Sequence, residues 1–178
     1  VPDSRSYFEL FHFPEQYSLD VDLLEQRYRQ LQRSVHPDKY ADGEALAQRL
    51  AVQYSSLLNE ARDVLRSPVK RANYLLSRIG RADAGLKDST TTADAEFLLQ
   101  QMEWREELAE SAEQSEPLAA LDVLKRQFEE ALSGYEQQFD AAFSSRDFDA
   151  AHVNIIKMQF LAKLLAEVDM QEERFLDS

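Results

Sequence analysis

His36-Pro37-Asp38 places an imidazole and a carboxylate two residues apart. Those groups ligate metals or carry catalysis in many proteins, and on a turn they also mark recognition sites. A metal is a poor fit, because two ligands without neighbouring partners do not make a site. A second pairing, Asp149-x-x-His152, occurs once, whereas a carboxylate-bridged di-iron bundle needs such a motif twice plus further glutamates. His152 reads more simply as a core-edge histidine. The chain has no Gly-rich phosphate loop, no Gly-x-Ser-x-Gly turn and no two-histidine metal helix. Zero cysteines remove thiolate metal sites, disulfides and a cysteine nucleophile. We therefore expect no catalytic residue, no metal, no cofactor and no enzyme. The alternative is a helical enzyme or metalloprotein using His36, Asp149 and His152, which metal analysis would reveal.

The tripeptide follows a helix. Leu24, Tyr28, Leu31 and Val35 recur at i, i+4, i+7 and i+11, the stripe of an amphipathic helix. Pro37 disfavours helical geometry at His36, so the helix stops there. Before it, Tyr7 to Phe11 reads as a short helix closed by Phe13-Pro14, and Asp20 can cap the second helix. After Gly43 a third helix follows Leu46, Leu50, Tyr54, Leu57, Ala61 and Val64, ending near Ser67-Pro68. Pro68 suits the first position of a fourth helix, with Gly80 just past its end. The second and third helices should form a hairpin around Phe8, Phe11, Leu24, Leu31, Leu50 and Leu57.

Among 178 residues, 44% are apolar and only four are glycine and five proline, which predicts an all-α chain with a real core. Residues 81–93 lack large apolar groups apart from Leu86 and read as a linker. Three helical patterns follow, at about 94–112, 117–143 and 147–174, broken at Pro117 and at Ser144-Ser145 with Asp147. Short connections between long helices imply an antiparallel three-helix bundle. The expected organisation is a domain over 1–80, a linker over 81–93 and a bundle over 94–178. No apolar run reaches membrane-span length and no signal-peptide pattern opens the chain, so a cytoplasmic protein with no membrane partner is expected. The net charge of −13 is uneven, with 12 basic and 11 acidic residues in 1–81 but 8 basic and 22 acidic in the remainder. That acidic half argues against nucleic acid, which needs a basic footprint.

Two faces attract attention. Arg29 and Arg33 lie about 180° from the middle of the second helix's apolar stripe, Arg27 borders it and Lys39 adds charge beside the loop. They form either a solvated face or a basic strip that steers an acidic partner towards His36-Pro37-Asp38. On the 94–112 helix, Phe97, Gln101, Trp104 and Leu108 form one stripe that should face the bundle. Leu99 projects about 180° from Leu108, with Leu98 and Met102 between. Glu103, Glu106 and Glu110 share the Leu99 side. Either Leu98 and Met102 widen the core stripe, or the three apolar residues rimmed by carboxylates form a partner surface. On the last helix Phe148, Ala151, Ile155 and Ala162 share one side. Val153, Phe160 and Leu164 share another, which packs in the bundle or meets a partner.

Short helix, basic second helix, His36-Pro37-Asp38 loop and third helix together resemble the J domain of DnaJ co-chaperones, and Leu58 to Pro68 looks like that family's third-helix ending. Downstream, Ser67-Pro68-Val69-Lys70-Arg71-Ala72-Asn73-Tyr74-Leu75-Leu76 and Ala95-Glu96-Phe97-Leu98-Leu99-Gln100-Gln101-Met102-Glu103-Trp104 resemble the HscB family, J-type co-chaperones of iron–sulfur cluster assembly. The likeness spans nearly the whole chain, and the absence of cysteine fits the bacterial form. It implies that His36, Pro37 and Asp38, with Arg27, Arg29, Arg33 and Lys39, engage the DnaK-type ATPase chaperone HscA. It further implies that Leu98, Leu99, Met102, Glu103, Glu106, Glu110 and Phe160 bind the cluster scaffold IscU. A J protein serving a general DnaK chaperone with another client is the alternative.

Overall fold

Ser6 opens the first helix through a reciprocal pair: its Oγ accepts from the Glu9 amide at 3.2 Å while Glu9 Oε2 accepts from the Ser6 amide at 2.6 Å. Such a box satisfies two amides that a helix start leaves free. It starts α1 (Tyr7–Leu10), the first of seven helices among the residues that the computed structural model describes, 5–35, 45–80 and 94–177. The others are α2 (Val21–Val35), α3 (Ala45–Arg66), α4 (Pro68–Arg78), α5 (Ala95–Ser111), α6 (Pro117–Ser144) and α7 (Phe148–Leu176). Asp20 caps α2 by accepting from the Leu23 amide. Pro68 and Pro117 take first-turn positions where no amide is needed. Gly80, with φ of +77°, follows the end of α4 in the left-handed conformation that glycine tolerates. The linker expected over 81–93 and the His36-Pro37-Asp38 loop lie outside the described residues.

The chain divides into two compact units, Val1–Leu75 and Leu76–Ser178, with the division inside α4. In the first, α3 packs against both α1 and α2. Phe8, Leu10, Phe11, Leu24, Leu58, Ala61, Leu65 and Leu75 are buried there. Part of the expected core is displaced. Leu31 and Leu57 are only half-buried, and Leu50 is 50% exposed, with Leu46 of the same periodic stripe at 65%. The buried line of α3 is instead Ala51, Leu58, Ala61 and Leu65, a rotation of about 80° at 100° per residue. Apolar residues occupy two adjoining faces of α3, and seating α3 between α1 and α2 selects the second. Side chains lock the hairpin. Tyr28 Oη donates to Asn59 Oδ1 at 2.6 Å, and Gln32 and Ser55 bond reciprocally across the helices. The Arg62 guanidinium grips both Glu25 oxygens at 2.9 and 3.0 Å.

In the second unit, α5, α6 and α7 reverse direction at short connections. Asp147 caps α7 by accepting from the Ala150 amide, just after Arg146 turns the chain at φ of +63°. The expected inner stripe of α5 is found: Phe97, Gln101, Trp104 and Leu108 are all buried. They meet Leu121, Leu124 and Phe128 of α6 and Phe160, Leu161, Leu164 and Val168 of α7. Edge-to-face rings interlock at the centre, with Phe97 5.8 Å from Phe160 and Trp104 5.9 Å from Phe128, adding to what burial alone contributes. At 17 residues α5 is much shorter than α6 and α7, which have 28 and 29. It therefore covers only part of their length.

Candidate partner-docking surfaces

The cationic residues of α2 separate into two kinds. Arg29 and Arg33 are exposed, and neither has an ion-pair partner among the described residues. With Tyr28 and Gln32 of α2 and Ser55 and Asn59 of α3 they line a shallow groove. Arg27 differs from the expectation of a docking charge. Its Nη1 donates to the carbonyls of Phe11 and His12 at 2.7 and 2.8 Å, and its guanidinium lies 4.5 Å from the Phe13 ring centroid. His12 sits at φ of +58°, where a non-glycine residue is uncommon. Arg27 braces that turn. His36, Pro37, Asp38 and Lys39 are not among the described residues.

On α5 the side opposite the core carries Leu98, Leu99 and Met102, which are 38%, 62% and 69% exposed. Glu103, Glu106 and Glu110 are exposed on the same helix. Gln100 Nε2 donates to Glu103 Oε2 at 3.1 Å. Single exposed leucines are ordinary, but three contiguous apolar side chains with a carboxylate border match the anatomy of an interface. Phe160 is corrected by the structure. It is 4% exposed, packed against Phe97 and Trp104 of α5, with the Arg105 guanidinium of the same helix 5.3 Å from its ring. Its ring supports α5 from behind and does not reach the surface. The stripe Val153, Phe160, Leu164 splits accordingly: Phe160 and Leu164 pack in the bundle while Val153 is 38% exposed.

Three residues that periodicity passed over hold α5 in place. Asp94 Oδ1 accepts from the Phe97 amide at 3.1 Å, capping the helix, and Oδ2 accepts from Lys157 Nζ at 2.7 Å. The Lys157 hydrogen bond, reinforced by the Phe97 amide, holds the Asp94 carboxyl below its usual range. Arg105 reaches Glu167 of α7 at 3.6 Å. An aspartate three residues before an inward phenylalanine is a legible cap signal. Its cross-helix lysine is not, since the pair is 63 residues apart.

No group of three or more His, Asp or Glu side chains is placed to hold a metal ion among the described residues. Nor is any helix among them long and apolar enough to cross a membrane. Asp149 is exposed in the first turn of α7 and His152 is half-buried.

Known proteins place this arrangement. The family model for the HSCB C-terminal oligomerisation domain matches residues 93–169. A co-chaperone protein HscB homolog of Shewanella baltica is 37% identical over 175 residues, covering 97% of this chain and 99% of the relative. The solved structure of chaperone HscB from Vibrio cholerae superposes with a TM-score of 0.83 at 35% identity, covering 96% of this chain and 99% of that one. The human co-chaperone protein HscB gives a TM-score of 0.86 at 28% identity, over 97% and 84% of the two chains. With its J-type helical hairpin, its acidic three-helix bundle and near end-to-end similarity to these proteins, the chain belongs to the HscB family of co-chaperones.

Proposed function

We propose that this protein is the adaptor of iron–sulfur cluster assembly that presents the scaffold IscU to the ATPase chaperone HscA. In this reading IscU docks on the outer face of α5, against Leu98, Leu99 and Met102, with Glu103, Glu106 and Glu110 meeting cationic side chains. Phe160 acts from beneath by seating α5. The observation that carries the reading is the apolar trio on α5, with Leu99 and Met102 more than half exposed beside a row of carboxylates. Desolvating such a centre supplies affinity, and the charged rim supplies orientation.

HscA is engaged at the other unit. Arg29, Arg33 and Lys39 steer its acidic surface, Arg27 holds the turn behind them, and His36, Pro37 and Asp38 carry the signal that triggers ATP hydrolysis on HscA. Joining both sites in one chain raises the local concentration of scaffold beside the chaperone, an avidity effect needing no chemistry here. Hydrolysis traps the scaffold in the chaperone's tight-binding state.

Pull-down with purified IscU tests the client surface. Wild type should retain IscU, and Leu98→Ala/Leu99→Ala/Met102→Ala should lose it. Equal retention would refute the α5 surface, and no retention by wild type would refute the client.

A further inference from the structure

Lys157 has an unusual setting for a lysine. Its side chain is 16% exposed, and its ammonium stands 5.2 Å from the Phe97 ring centroid of α5 and 5.4 Å from that of Tyr135 of α6. From α7 it reaches Asp94, whose other oxygen caps α5. One ammonium therefore touches all three elements of the bundle at the start of α5. A lysine rarely gives up this much hydration without an exacting partner, and the geometry supplies one: a short charged hydrogen bond and two ring faces.

That end of α5 needs holding. The first turn of a helix lacks intrahelical partners for its amides and frays first. Phe97 is the inward side chain of that turn. The next one inward, Gln101, is buried with an Nε2 that has no hydrogen-bond partner among the described residues, so it adds little grip. Leu98, Leu99 and Met102 face away from the core and do not hold themselves.

We propose that Lys157 is a positioning residue for client binding: through Asp94 it pins the first turn of α5, so that Leu98, Leu99 and Met102 are presented as one preformed surface. The inference rests on the reading of α5 as the scaffold-docking face. Preorganisation raises affinity by removing an ordering cost from the binding step, without any contact between Lys157 and the client.

A double-mutant cycle on the full chain tests this, with dissociation constants for purified IscU measured by calorimetry. Lys157→Met keeps an unbranched side chain of similar length but removes the charge. Asp94→Ser keeps a capping oxygen but loses the second one. Each should weaken binding about threefold to tenfold, the usual scale for a lost helix-end contact. The double variant should be no weaker than either single, because the two act as one unit. Lys157→Arg should recover most of the affinity. Amide exchange should quicken at residues 97–99 in Lys157→Met while the global denaturation midpoint stays in place. Leu99→Ala serves as the reference for the surface itself. Unchanged affinity in Lys157→Met beside a weakened Leu99→Ala, additive losses in the double variant, or failure of the arginine to recover binding would overturn the latch and leave the docking face standing. Loss of IscU binding by wild type, or no effect of Leu99→Ala, would overturn the docking face and the latch with it.

Discussion

Tyr7 shows how one phenol couples the start of the chain to α3. Its hydroxyl donates to Glu60 Oε1 at 2.9 Å and its ring stacks on Tyr74 with centroids 4.5 Å apart. Burial first, and then the Glu60 hydrogen bond, push its pKa up from 10.0 to about 12. The folded state thus holds this proton more tightly than the unfolded chain does. The resulting stabilisation is complete below the unfolded value and drains away as pH rises from about 10 to about 12. Denaturant midpoints measured across that interval should fall for wild type and fall less steeply for Tyr7→Phe. Parallel slopes for the two proteins would show that the phenol is not coupled to folding. The legibility of individual residues followed the range of their contacts. Asp20, Pro68 and Gly80 act on neighbours within a turn, and their roles could be read from order alone. The setting of Phe160, and the pairing of Asp94 with Lys157, depend on which helices meet. One-dimensional periodicity carries no such information.

At the scale of elements, α5 has one buried and one exposed face, and substitution should separate them. Trp104 is 5% exposed among the rings of Phe97, Phe128 and Phe160. Its replacement by alanine should cost about 3–5 kcal/mol of stability, as emptying an aromatic core site does. Leu99→Gln lies on the far side, 62% exposed, and should leave the unfolding midpoint within about 0.5 kcal/mol of wild type. Chemical denaturation distinguishes the two, and a large loss from Leu99→Gln would mean that the outer face packs after all. The inner stripe of Phe97, Gln101, Trp104 and Leu108 was visible in the sequence, but whether Leu98 and Met102 widen it was decided only by their exposure. The inner stripe was not visible in α3, where Leu57 and Leu58 or Val64 and Leu65 are adjacent apolar residues on neighbouring faces. There the choice belongs to α1 and α2, and the reading of Leu50 and Leu57 as core residues failed for that reason.

For the whole molecule, the acidic charge concentrated beyond residue 81 and the arginines of α2 imply two partners of different character. The two functions should then be separable. His36→Gln should bind IscU like wild type and fail to stimulate HscA ATPase, measured as steady-state phosphate release with and without IscU. Full stimulation by the variant would remove the imidazole from the signalling step. The Arg27 brace decides how such genetics can be interpreted along α2. Charge reversal at Arg29 or Arg33 alters an exposed guanidinium and, under the proposed function, should report on encounter with a partner. Reversal at Arg27 would abandon the carbonyls of Phe11 and His12 and bring a carboxylate against them. A phenotype there would measure the integrity of the turn, so a genetic map of the proposed docking strip would mark as interface a residue whose loss has only loosened the fold beneath it.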